Sequence, residues 1–309
     1  MVRWSLRSAW EVSQLVVIGS VRSQKLGARR RHRSRVLADV AVWSLIQEME
    51  LTPKPALVDG RGPGAHRDMN LAMLRRSALA LRETFFSIVA RAFEAELSID
   101  LREDLTALGR EGEQSMLAET KGVNTHRGAI WTLGLLCAAT SMLGSSAIEA
   151  EEVCMLAGLL ARLPDRNAVP QLSHGLVAYQ RYGARGARGE AENGFPNLVA
   201  NALPMLKKSR GDGGSEIQAR LNAFLSIMEK LEDTCLLYRG GPRALAVARH
   251  GARKSLDLGG AATKEGMQAL LGLDASLLRM GASPGGSADL LAGALFLEAA
   301  EKEFNCTEN

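Results

Sequence analysis

The stretch GAIWTLGLLCAATSMLGSSAI, residues 128–148, runs for 21 positions without a charge, and its reading decides the fold. That length is enough to span a bilayer. Three Gly, two Thr and three Ser interrupt it, however, and it lies between Arg127 and the acidic run Glu149–Glu152. A helix apolar on all sides and flanked this way fits the centre of a soluble helical bundle.

Working outward, the sequence offers the helices that would sheathe it. Ser34 reads as an N-cap, with Leu37, Val40, Ala41, Ser44 and Leu45 at helical spacing behind it. Asp68 opens a long stripe: Leu71, Leu74, Ala78, Leu81, Phe85, Ile88, Ala92 and Phe93. A helix follows from about Asp100 to Thr120, and Asn124 caps the central one. Further helices are predicted over Ile148–Leu163, Gln171–Tyr182, Ser215–Tyr238, Pro242–Leu258, Lys264–Met280 and Ser287–Phe304. Aromatics make up only 5% of the 309 residues, so the core rests on Leu, Ala, Val, Ile and Met, a composition that favours helix. No period-two run with a hairpin turn occurs, and no internal repeat. The expected fold class is all-α: a single multi-helix domain, residues 34–309, whose glycine-rich loops form the active site.

Charge separates that domain from what precedes it. Residues 1–35 hold nine Lys or Arg against Glu11 alone, a surplus of +8, and residues 36–309 therefore carry −4 of the net +4. Residues 1–33 are expected to form a disordered basic arm, either a solvated extension or a contact for an acidic partner. The acidic body speaks against nucleic acid as the partner of the fold. Leu15–Ile18 is too short for a signal-peptide core. Cys137, Cys154, Cys235 and Cys306 form no CxxC pair. They read as reduced residues of a cytoplasmic protein, with no disulfide or zinc site and no membrane segment.

Chemistry concentrates in the loops. Pro53 and Pro55 stiffen the backbone around Lys54, which makes it either a positioned phosphate contact or part of a helix stop. Asp59, His66 and Asp68 lie around Gly60, Gly62, Pro63 and Gly64, a composition suited to a ligand loop; a helix cap would account for Asp68 alone. Gly109 and Gly112 weaken their own helix, so another backbone, or a ligand, comes close there. Glu113 shares a face with Met116 and either turns inward to a partner or lies on a solvated face. His126 and Arg127 sit in the first turn of the central helix, where the dipole disfavours cations; an anionic ligand at that N-terminus would offset this. Arg181, Arg185 and Arg188 alternate with Gly183, Gly186 and Gly189, a pattern suited to phosphate oxygens. Asp233 and Arg239 bracket another helix end. Ser283-Pro284-Gly285-Gly286-Ser287-Ala288-Asp289 is a glycine loop entering an apolar helix, with no Walker motif. Asp289 would repel phosphate unless a cation such as Mg²⁺ stood between them; alternatively it only complements the helix dipole.

Taken together and in order, Thr52–Asp59, His66–Met69, Gly122–Trp131, Gly186–Pro196, Asp233–Gly241 and Ser283–Leu291 resemble the triphosphoribosyl-dephospho-coenzyme A synthase family. The resemblance covers residues 36 to 300, and NTHRGAIW and SPGGSADLLA are its specific motifs. It implies an α-helical transferase that takes ATP and 3′-dephospho-CoA as substrates. The 2′-hydroxyl of dephospho-CoA attacks the anomeric carbon of ATP's ribose, adenine leaves, and the triphosphate stays on the sugar. The product passes to an acyl carrier protein transferase and becomes the prosthetic group of citrate lyase or malonate decarboxylase. Ala56, Arg127, Trp131 and DTCLLYRGG resemble the malonate decarboxylase branch. On this resemblance Lys54, His66, Asn124, His126, Arg127, Arg185, Arg188, Arg239, Ser283, Gly285, Gly286 and Ser287 are expected to bind substrate. Asp68, Glu113 and Asp233 are the candidate catalytic acids, and Asp59 and Asp289 the candidate Mg²⁺ ligands. Two other classes fit the residues: a helical Mg²⁺-dependent hydrolase of N-glycosidic bonds, and a non-catalytic helical adaptor that works through the basic arm.

Overall fold

The computed structural model describes residues 6–144, 147–168 and 173–305, with side chains from residue 24 onward. Among these residues the protein is a single all-α domain without a strand. The helices are α1 (Leu6–Glu50), α2 (Leu71–Ala80), α3 (Arg82–Ala92), α4 (Ile99–Glu119), α5 (Arg127–Met142), α6 (Ala150–Arg162), α7 (His174–Tyr182) and α8 (Gly186–Glu192). A π-helical turn at Leu198–Ala202 leads into α9 (Leu203–Gly211), α10 (Glu216–Lys230) and α11 (Thr234–Asp257). A 3₁₀ turn at Gly260–Ala262, α12 (Lys264–Met280) and α13 (Gly285–Asn305) complete the fold.

The uncharged stretch forms α5, at the centre as its composition requires. Only Arg127, Gly128, Trp131 and Met142 escape full burial within it. It packs against α1, α3, α4, α6 and α13, and α13 in turn packs against α1 and α10. Two small residues set the approach of these helices. A Cβ on Gly293 of α13 would meet Thr132 and Leu136 of α5 at 3.2 Å, and one on Gly134 would meet Ile88 of α3 at 3.4 Å. No helix among the described residues is long and apolar enough to cross a membrane.

Several boundaries differ from the sequence reading. Ser34 is not a cap: α1 runs through it, and its hydroxyl donates to the Arg30 carbonyl at 2.8 Å. Arg33 is buried beside it, over the Phe304 ring, and donates to the Thr140 carbonyl at 2.6 Å. Asp68 does not open α2, because Asn70 caps it by accepting from the Met73 N–H at 3.0 Å. The long stripe behind it breaks at Leu81 into α2 and α3. The segment predicted as one helix over Ser215–Tyr238 is divided at Leu231–Asp233, since Asp233 accepts from the Cys235 N–H at 2.9 Å and so starts α11. That helix continues past Arg239-Gly240-Gly241 with a kink at Gly241 (φ 65°, ψ −167°). The Arg/Gly segment expected to be a loop folds as α8. Gly112 serves packing, for a Cβ there would strike Thr84 of α3 at 2.5 Å. Gln171, the start of one predicted helix, lies outside the described residues, as does Cys306. Cys137, Cys154 and Cys235 are free thiols, all pushed up by burial.

Leu136 is fully buried in α5, facing Gly293. Leu136→Ala is expected to lower stability by about 2–5 kcal/mol, read from urea unfolding; a loss below about 1 kcal/mol would show that α5 is not the organising helix.

Candidate active site

The loops gather at one end of the bundle around two adjoining cavities, one of about 680 Å³ and one of about 130 Å³. Asn124, Arg127, Gly128, His174, Cys235 and Asp289 line both. The first turns of α5, α7, α8, α11 and α13 all face the larger cavity, through Gly128, Gly175, Gly186, Thr234 and Gly286 respectively. The positive ends of the helix dipoles thus converge on one space, which suits a polyanion, although Asn124, Ser173 and Asp233 already cap N–H groups of α5, α7, α11 and α13.

Asp233 holds two of these helix starts together. One oxygen accepts from Cys235 N–H of α11; the other accepts from Ser287 N–H and Oγ–H of α13 at 2.9 and 3.0 Å. Burial raises its pKa, against the lowering effect of these bonds. Both oxygens are engaged by protein groups, so Asp233 is a positioning residue of the cavity wall. A Cβ on Gly286 would come within 3.2 Å of its carboxylate. Ser283 and Gly285 line the smaller cavity next to this junction.

Asp289, one turn into α13, faces both cavities, and among the described residues no donor or cation pairs with it. Burial raises its pKa well above the usual carboxylate value, and the charges of Glu48 and Asp233 raise it further. Gly128 makes room for this carboxylate, since a Cβ at that position would overlap Asp289 Oδ2.

The predicted cations reach the site with different partners. Lys54 is 1% exposed, and its ammonium donates to Glu48 Oε1 at 2.5 Å and to the Glu48 carbonyl at 2.7 Å. Arg127 pairs with Glu113 at 3.0 Å. Arg185 and Arg188 both pair with Glu192. Arg239, of these five, has no acid partner among the described residues; its guanidinium approaches His66 Nδ1 at 3.3 Å. His66 is held near pKa 4 by burial and then by Arg239, opposed by Asp68. His126 is also held near 4, by burial and then by Lys54; its Nδ1 lies 2.9 Å from the Ser77 hydroxyl. Asn124 accepts from the Arg127 N–H at 3.2 Å.

Three predicted acids lie away from the cavities. Asp68 has an exposed side chain and lines neither cavity. Glu113 lines a separate small cleft with Arg102 and Trp131. Asp59 is buried and accepts from Lys54 N–H, Arg61 N–H and the Arg61 guanidinium. Arg61 also donates to Asp274 of α12, which accepts from Ala56 N–H at 2.7 Å and thereby fixes the whole loop. Among the described residues no cluster of three or more His, Cys, Asp or Glu side chains is arranged to hold a metal.

Sequence reasoning missed Glu48, Asp274 and His174. Glu48 left a signal: it lies three residues after buried Leu45 in α1, and the lysine locked between two prolines needs an acid if buried. Asp274 left none, because its partners are more than two hundred residues away.

Residues 34–308 match a family described as ATP:dephospho-CoA triphosphoribosyl transferase. A relative from Pseudomonas fluorescens (strain Pf0-1), named probable 2-(5''-triphosphoribosyl)-3'-dephosphocoenzyme-A synthase, is 52% identical over 86% of this chain and 92% of its own. One of the same name from Azotobacter vinelandii is 52% identical over 85% of this chain and 91% of its own. The Klebsiella pneumoniae 2-(5''-triphosphoribosyl)-3'-dephosphocoenzyme-A synthase is 49% identical over 85% and 93%. No solved structure matches. The chain belongs to this transferase family.

The two buried imidazoles give the fold a pH dependence of defined sign. Native His66 and His126 refuse protons down to about pH 4, whereas unfolded imidazoles take them up near 6.5. Their contribution is complete above 6.5 and is lost as pH falls from there toward 4. Urea titrations across that window should show falling stability, with His126→Gln flattening the slope by about one proton. A slope that the substitution leaves unchanged would place the dependence elsewhere.

Proposed function

We propose that the adjoining cavities bring ATP and 3′-dephospho-CoA together, and that the chain transfers the triphosphoribosyl group of ATP to the 2′-hydroxyl of dephospho-CoA with release of adenine. One observation carries this reading: the unpaired Asp289 carboxylate stands between two cavities, with five helix N-termini facing the larger one. Two polyanionic substrates need such a concentration of helix dipoles and cations, and the attacking hydroxyl needs a base where they meet.

Asp289 takes that role, in place of Asp68, Glu113 and Asp233. Burial and the charges of Glu48 and Asp233 push its pKa up, which makes its carboxylate a stronger base than an exposed one. It accepts the hydroxyl proton as the new C–O bond forms and the N-glycosidic bond breaks; adenine leaves as the neutral base, taking one proton from water, and Asp289 returns the hydroxyl proton to water, so no net proton is gained or lost. Arg239 and the helix N-termini hold phosphate oxygens, with Lys54 and Arg127 behind them in their acid pairs. Mg²⁺ bound with ATP would screen the triphosphate from Asp289, Glu48 and Asp233. One carboxylate plus phosphates and water is an ordinary Mg²⁺ environment. Asp59, tied to Arg61, is not one of its ligands.

The product serves malonate decarboxylase, a reading that rests on Ala56, Trp131 and the sequence around Arg239, and passes to an acyl carrier protein transferase in the cytoplasm. Residues 1–33 lie before the matched span, and neither cavity is lined by a residue before Leu45. The basic arm is therefore dispensable for turnover.

Chromatography of a mixture of protein, ATP, Mg²⁺ and dephospho-CoA should show adenine and the coupled product in equal amounts. Asp289→Asn should reduce turnover by about 10²–10⁴-fold in protein with unchanged circular dichroism. ADP without adenine, or free triphosphoribose with unmodified dephospho-CoA, would rule the reaction out.

A further inference from the structure

The chain contains only three tyrosines, Tyr179, Tyr182 and Tyr238. All three are exposed, and all lie on α7 and the facing part of α11. Tyr179 is 55% exposed and lines the larger cavity. Tyr238 stacks on His174, with ring centroids 3.8 Å apart. The Tyr182 hydroxyl lies close to the kink, 3.6 Å from where a Cβ on Gly241 would be. Leu176, Tyr179 and Tyr182 fall at i, i+3 and i+6, so they form one stripe along α7, and all three are exposed. Ala178 is the one buried residue of that nine-residue helix. A helix that presents its large apolar side chains outward, at the rim of a polar cavity, is not built for core packing.

We propose that Tyr179 is the stacking platform for the adenine ring of dephospho-CoA, and that the stripe toward Tyr182 carries its pantetheine arm. This rests on the transferase reading of the same cavity. An aromatic face recognises a purine through π-stacking, without hydrogen bonds. Of the two adenines in the reaction, one departs and the other stays attached to the acceptor. The staying ring gains most from a rim position, because its contact is the same before and after transfer. It also carries a long, largely apolar arm that has to leave the cavity, and the exposed stripe gives that arm a surface to follow. ATP then occupies the side next to Lys54, His66 and Arg239, where the smaller cavity has cations and the imidazoles of His66, His126 and the shared His174 but no Phe, Tyr or Trp.

The test is calorimetric binding of dephospho-CoA, 4′-phosphopantetheine and ATP–Mg²⁺, each measured alone, to the wild-type chain, Tyr179→Ala and Tyr179→Phe. Tyr179 is exposed on a helix, so alanine leaves the fold in place, which circular dichroism verifies. Tyr179→Ala should weaken dephospho-CoA about tenfold or more and leave 4′-phosphopantetheine and ATP as they were. Tyr179→Phe should restore dephospho-CoA binding, since only the ring face is used. Unchanged dephospho-CoA affinity in Tyr179→Ala, or a loss confined to ATP, would overturn the proposal while leaving the transferase reading intact. A wild-type chain that binds no dephospho-CoA would instead remove that reading and the proposal with it.

Discussion

The site depends on one carboxylate that fastens two helices at their starts. Asp233 accepts from the first turn of its own α11 and from Ser287 at the start of α13. A helix N-terminus ordinarily turns its orphan N–H groups to water. Here two of them are locked side by side beneath a cavity, and Ser287 and Asp233 are both almost fully buried there. Gly286 keeps the gap between the two helices small enough for this bond. Asp289 follows one turn later on α13, and its position is inherited from that joint.

The charge arrangement follows from the same economy of space. Glu48, Asp233 and Asp289 approach one another at the bottom of the site, and their mutual repulsion adds to burial in raising the Asp289 pKa. Glu48 is neutralised by Lys54, and Asp233 is satisfied by backbone and hydroxyl donors. Of the three, Asp289 has no hydrogen-bond donor or cation on either oxygen among the described residues and faces both cavities. An isolated buried carboxylate is costly. Asp289 is partly buried beside Gly128, which makes room for it, so the fold carries part of that cost at the candidate site.

The cations show the complementary pattern. Lys54, Arg127, Arg185 and Arg188 all enter the site already paired with acids. Pairing fixes their geometry and limits their net charge, so on the proposed function the helix N-termini and Arg239 would carry much of the attraction for phosphate. The loop bearing Asp59 and Arg61 has a related role at one remove. Through Asp274 it is tied to α12, and it presents Lys54, Leu57, Val58 and His66 to the smaller cavity while Asp59 and Arg61 themselves stay outside the lining.

The sequence by itself determined the all-α class, the buried central helix and the identity of the loops that meet at the site. Uncharged length, helical spacing and glycine-rich motifs are local properties, and a local pattern survives whatever the rest of the chain does. It also singled out Asp289, His126, Arg127, Arg239 and Ser287, which the structure places at or beside the two cavities. Helix boundaries at Ser34, Asp68 and Tyr238 were misread because cap residues have several possible partners, and the competing hydrogen bonds are seen only in three dimensions. Roles were decided by tertiary structure alone. Asp59, Asp233 and Asp289 are the same side chain in similar glycine-rich company, yet one is held by Arg61, one by two helix starts and one by no donor or cation among the described residues. A carboxylate's function depends on which donors surround it, and those donors come from segments far apart in the chain.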